Sequence, residues 1–215
     1  MKKILLSTSN VQPIPAIRGG ATETLIDILI KENEAQKKYL FFILCKYDRE
    51  AEIRSNFFKY TNVIYFKSKK DFSIFNLLFD KEIYIYFIVK FLASLGITNA
   101  SIPSRYYYFA YRLCRTIKPD YFVAEGGIYE QYELVTTVIP SNRRYAHLHR
   151  VVNGNKKLWS IFPNAIAISN YVKSAYLDGK KLDKVNVNVV RNCCNELIFQ
   201  NKPNKKLTLT TKQNL

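Results

Sequence analysis

The sequence predicts an α/β fold, a doubly wound, Rossmann-like parallel sheet. Short apolar runs alternate along the chain with helical patterns, which is how strands and crossover helices of a parallel sheet are written. The run Tyr39–Cys45 is continuously apolar, as a strand covered on both faces must be. The first run is followed by a glycine-containing loop that opens a helix, and right-handed crossovers then wind the sheet in both directions.

Lys3–Ser7 reads as the first buried strand. A loop from Thr8 to Arg18, holding Pro13 and Pro15, leads to Gly19 and Gly20. Ala21–Lys31 has helical spacing, with Leu25, Ile28 and Leu29 on one face. Tyr39–Cys45 is the second strand, Asp48–Phe58 a polar helix, and Val63–Phe66 the third strand. Asp71–Leu95 predicts one or two helices rich in Phe, Ile and Tyr. Pro103–Ile117 predicts another, because proline suits a first helical turn. Its aromatic segment Tyr106, Tyr107, Tyr108, Phe109 and Tyr111 is expected to fill core, although stacked aromatics also bind sugars and bases.

Lys118-Pro119-Asp120 stops that helix, and Tyr121–Ala124 is a strand broken by Gly126-Gly127. Tyr129–Val138 is helical in pattern. Arg144–Leu148 and Ala165–Ile168 are further strands. Ser169 is placed to cap a helix over Asn170–Leu177, which Asp178-Gly179 ends, and Val185–Val190 is the last strand.

Composition narrows the classes. Apolar residues make up 48% of the 215, which supports one well-buried domain and excludes disorder over the whole length. Lys and Arg number 33 against 17 Asp and Glu, a net charge of +16 that attracts polyanions and anionic membrane surfaces. The basic residues are dispersed, with no run of five, so no nucleic-acid tail is signalled. Cys45 and Cys114 read as small buried hydrophobes, and the absence of a CxxC argues against a zinc ribbon or thioredoxin-type motif. Ile4–Leu6 is too short for the core of a signal peptide, so reduced thiols in the cytosol are expected. The most apolar stretch, 83–95, is interrupted by Lys90 and falls short of the ~20 residues that span a bilayer.

Chemistry-bearing residues cluster at predicted strand ends, where ligands of such sheets bind. Gly19-Gly20 opens the first helix, lets a ligand approach the backbone, and leaves free N–H groups that favour an anion. Glu23 lies one turn in; the pattern is neither GxGxxG nor a P-loop. His147 and His149, the only histidines, end one strand two residues apart, so they point to the same side. Without a visible Cys, Asp or Glu cluster beside them, ligand contact is expected rather than metal binding. Glu125-Gly126-Gly127 also follows a strand; its carboxylate can accept hydrogen bonds from sugar hydroxyls or sit as a solvated turn residue.

In order and spacing these motifs resemble the N-terminal domain of retaining, family-4 glycosyltransferases of the GT-B fold. The resemblance runs through Gly19-Gly20-Ala21-Thr22-Glu23, the strand ending at His149, Ala167-Ile168-Ser169 with Asn170-Tyr171-Val172-Lys173, and Val187–Asn192 with Phe199. Arg191, Cys193 and Asn195 stand where the family has Pro, Gly and Asp. The resemblance implies that residues 1–200 are the acceptor-side, N-terminal half of a GT-B enzyme. Residues 201–215 would be a linker, or the truncated start of a missing C-terminal donor-binding domain.

The implied reaction transfers a hexose-type sugar, with retention, from a nucleotide-sugar donor to a glycan or lipid-linked acceptor in cell-surface polysaccharide synthesis. His149 would be the catalytic residue, with His147 as substitute. Gly19, Gly20, Glu23, Glu125 and Gly126 would contact donor or acceptor. No metal or other cofactor is implied beyond the nucleotide-sugar substrate. The chain would be cytoplasmic, peripheral at the inner face of the membrane through residues 67–90, and inactive alone. The alternatives are a non-catalytic subunit of a two-chain glycosyltransferase, or a basic nucleic-acid-binding domain.

Overall fold

A computed structural model of the protein describes residues 1–67, 91, 95, 104–178, 180 and 182–192. The helices expected over 71–95, apart from residues 91 and 95, the surface expected over 67–90 beyond Lys67, and the tail from 193 onward lie outside the described residues.

Seven parallel strands form one sheet in the order β3-β2-β1-β4-β5-β6-β7. They are β1 (Lys2–Thr8), β2 (Tyr39–Lys46), β3 (Thr61–Phe66), β4 (Tyr121–Glu125), β5 (Arg144–Leu148), β6 (Asn164–Ala167) and β7 (Asn186–Val189). The helices that lie wholly within the described residues are α1 (Ala21–Gln36), α2 (Arg49–Ser55), α3 (Arg105–Ile117), α4 (Lys156–Ile161) and α5 (Asn170–Leu177), with 3₁₀ turns over Tyr129–Thr137 and Ser141–Arg143. The predicted doubly wound, Rossmann-like sheet is the observed one.

Strand residues alternate between two cores, because successive side chains leave a strand on opposite faces. Phe41, Ile43 and Cys45 of β2 pack with Leu6, Ile14 and the α1 residues Ile26 and Ile30. Leu44 and Leu5 face the other way, into a larger core with α3, the 3₁₀ turn, α4 and α5. Both faces are thus covered, which is why β2 carries no polar residue until Lys46.

Several ends differ from the sequence pattern. Helix α1 runs to Gln36, beyond the apolar periodicity, because Asn33 holds its end: Nδ2 donates to the Tyr39 carbonyl and Oδ1 accepts the Tyr39 N–H, each at 3.0 Å. Lys37 then takes a left-handed conformation and donates its N–H to the Asn33 carbonyl at 2.7 Å. Helix α2 is shorter than expected and starts where Asp48 accepts the N–H groups of Glu50 and Ala51. Asp48 also accepts from Arg18 at 2.8 Å, and Asp27 accepts the Ala16 N–H at 2.9 Å. These two contacts tie down the β1–α1 loop. The 129–138 segment is 3₁₀ rather than α-helical, and α4 was not foreseen.

The aromatic segment of α3 is core, as expected. The Tyr106 and Tyr107 rings meet edge to face at 5.5 Å, and Tyr107 meets Tyr132 in the same way at 4.7 Å. The Tyr106 hydroxyl reaches the carbonyls of Thr8 and Leu44, at 2.9 Å each, and so braces the carboxyl ends of β1 and β2. Cys45 and Cys114 are buried free thiols, and burial pushes the Cys45 thiol up to about 12. Among the described residues no helix is long and apolar enough to cross a membrane.

Candidate functional site

The strand order reverses between β1 and β4, so the loops leaving these neighbours part to opposite sides and open a crevice at the carboxyl rim. Glu125 ends β4; in the neighbouring β5 lies His147, and His149 directly follows that strand. The sequence separates Glu125 from His147 by 22 residues, and the β4–β5 pairing brings them together.

Glu125 Oε2 accepts from His147 Nδ1 at 2.8 Å and from His149 Nε2 at 2.9 Å. The two rings stack obliquely with centroids 4.0 Å apart, the same-side placement that period two predicts. The carboxylate is 5% exposed, and the two imidazoles are 21% and 14% exposed. Burial alone would raise the Glu125 carboxyl. The two imidazole N–H donors and their charge outweigh it and hold the group down at about 2. The carboxylate therefore stays ionised, and the ring nitrogens facing it carry protons. The opposite nitrogens, His147 Nε2 and His149 Nδ1, are then lone-pair acceptors whenever the rings are neutral. The Tyr129 hydroxyl donates to the His147 carbonyl at 2.6 Å and fixes that strand end.

Two clefts meet at this cluster. One, of about 530 Å³, is lined by Ser9, Thr22, Gly126, Gly127 and Arg150 together with Glu125 and His149. The other, of about 430 Å³, is lined by Leu25, Ile28 and Leu29 of α1 and by Val190, and its polar lining combines Glu125, His147 and His149 with Glu32, Arg191 and Asn192. Glu125 and His149 border both. Gly127, at φ +90°, has no room for a side chain: a Cβ there would come 2.7 Å from the Tyr107 hydroxyl, which accepts the Ile128 N–H at 2.8 Å.

Of the residues predicted from sequence, Glu125, Gly126, His147 and His149 are brought together. Glu125 is neither a solvated turn residue nor free for sugar alone; it anchors both histidines. Gly19, Gly20 and Glu23 line neither cleft, and their helix reaches the first cleft through Thr22. Gly20 caps α1 at φ +107°, where a Cβ would strike the Glu23 carboxylate folded over it, so Glu23 closes the loop from inside. Sequence reasoning missed Ser9, Thr22 and Ile128 as cleft residues. Leu25, Ile28 and Leu29 carried a signal in their helical stripe.

No protein-family model and no curated protein matches the chain. Solved structures do. A glycosyltransferase from Rickettsia africae ESF-5 superposes with a TM-score of 0.53 at 15% identity, covering 99% of this chain and 49% of that one. The likeness is one of fold. Acinetobacter baumannii MurG matches less well, with a TM-score of 0.42 at 12% identity over 79% of this chain and 42% of that one. The chain spans about half the length of the Rickettsia structure and 42% of MurG.

Proposed function

We infer that this chain is the acceptor-side, Rossmann-like part of a glycosyltransferase, and that a second such domain supplies most of the donor site. The observation that carries the reading is the buried Glu125 carboxylate orienting two histidines at the switch point, where two clefts meet. The fold shared with a glycosyltransferase along 49% of its length is consistent with it.

The chemistry follows from the parts. A sugar hydroxyl is a poor nucleophile until its proton leaves. His149, bordering both clefts, takes that proton on Nδ1 while Glu125 steadies the imidazolium formed. The bond from the acceptor oxygen to the anomeric carbon forms, the bond from that carbon to the nucleotide diphosphate breaks, and the proton passes from the imidazole to solvent. His147 holds the shared carboxylate in place. The donor phosphates approach the start of α1 from the polar cleft, where Thr22 borders it. The cleft beside Leu25, Ile28 and Leu29 takes the acceptor, a glycan or a lipid-linked one, and the hexose-type donor follows the family resemblance, as does a role in cell-surface polysaccharide synthesis.

The test is a transfer assay with nucleotide-hexoses and polyprenyl-linked or oligosaccharide acceptors, with and without a donor-binding partner domain. Transfer that requires the partner domain is expected, with little by the 215-residue chain alone. No transfer in either arm, with binding retained, would favour a non-catalytic subunit. The resemblance implies a retained anomeric configuration, whereas a single displacement driven by His149 would invert it; NMR of the product separates the two.

A peripheral place at the inner membrane face rests on the charge of +16, since each basic residue near an anionic surface adds about 1 kcal/mol. Binding to anionic vesicles should therefore fall as salt rises. Equal binding to neutral vesicles at every ionic strength would contradict it.

A further inference from the structure

The sequence placed two histidines on one side of a strand and lacked a third ligand beside them. The fold supplies it. Glu125 Oε2, His147 Nδ1 and His149 Nε2 lie within 4.8 Å of one another, the one group of this kind among the described residues. Two neutral nitrogen donors with one carboxylate oxygen form the facial set that first-row transition ions favour, with the other positions open.

Two of the three ligand–ligand distances favour one geometry. Ligand atoms about 2.1 Å from a common ion lie about 3.0 Å apart at right angles and about 3.4 Å apart in a tetrahedron. The carboxylate oxygen stands 2.8 Å and 2.9 Å from the two ring nitrogens, close to the right-angled case. An ion entering between them would need each ring nitrogen to part from the carboxylate oxygen by only a tenth or two of an ångström. The two ring nitrogens, which lie within 4.8 Å of each other, would settle to about 3.0 Å apart, and each neutral ring would carry its proton on the opposite nitrogen. The open positions are available too, because Glu125 and His149 border both clefts and His147 borders one. Diphosphate or hydroxyl oxygens entering there could complete the sphere.

The geometry points to a divalent-cation site: Glu125, His147 and His149 bind a first-row transition ion through one face of an octahedron, leaving the opposite face to ligands in the clefts. The site stands on these three side chains and does not depend on sugar transfer; with His149 Nε2 on the ion the ring proton sits on Nδ1, so the ion-bound form is distinct from the form in which Nδ1 acts as base.

The test uses the whole chain, stripped with a chelator and titrated with Mn²⁺, Zn²⁺ and Co²⁺ by calorimetry, with the visible spectrum of the Co²⁺ form recorded alongside. One ion per chain is expected, with a weak six-coordinate Co²⁺ spectrum. Glu125→Gln, His147→Gln and His149→Gln should each weaken binding by more than the roughly 10–100-fold that loss of an outer-shell partner costs. Circular dichroism checks that each variant folds. Should Glu125→Gln fail to fold, His149→Gln and the wild-type Co²⁺ spectrum decide. Absence of saturable binding, affinity unchanged in His149→Gln, or a thiolate-to-cobalt charge-transfer band placing the ion on cysteines would each overturn the site. Sugar transfer that persists in the stripped protein would leave the proposed function standing.

Discussion

Glu125→Ala should cost about 3 kcal/mol of stability at neutral pH, read from urea unfolding in the presence of a chelator. The figure comes from the carboxyl being held at about 2 against an ordinary 4.5. Removing the carboxylate also leaves two largely buried imidazole N–H groups without their acceptor. A loss below about 1 kcal/mol would mean that the cluster is not formed in solution. The pH dependence has a fixed sign. A carboxyl depressed by folding stabilises fully above its unfolded value of 4.5, and that contribution drains away as pH falls from 4.5 toward 2. Glu125→Gln should lack that part of the acid profile while wild type shows it.

His149→Ala should lower kcat by about 10²–10⁴ in the enzyme assembled with its donor half, the usual worth of a positioned general base. KM should change little, because the proton moves in the transition state and not on binding. The control is Phe57→Ser, a residue 82% exposed that lines neither cleft, which should leave both constants alone. A rise in KM with kcat preserved would make His149 a binding residue and remove the base from the proposed mechanism.

Much of the frame is legible in the sequence. Strand β5 and helix α5 fall on the predicted residues, because Arg144–Leu148 is bounded by polar segments and Ser169 and Asp178 punctuate the helix. Where the reading fell short, the cause was contact from a distance. The last turn of α1 is polar and survives through the pairing of Asn33 with Tyr39, which no periodicity encodes. Helix α4 has six residues and one cue, the Asn155 cap that accepts the Leu158 N–H, too little pattern for a window of helical length.

The site divided along the same line. The shared direction of His147 and His149 is a property of one strand and was legible. The union with Glu125 depends on β4 lying beside β5, a fact of sheet order that spacing along the chain does not carry. The glycines show the converse. Gly19 and Gly20 were prominent in sequence, yet the residue of that helix bordering the polar cleft is Thr22.

Long-range ¹⁵N NMR of the two imidazoles, in metal-free protein at a pH where the rings are neutral, tests the Glu125 cluster most directly. The account predicts opposite tautomers: the proton on Nδ1 of His147 and on Nε2 of His149, both slow to exchange and both displaced in Glu125→Gln. Two rings in the same tautomer, exchanging freely with water, would contradict it.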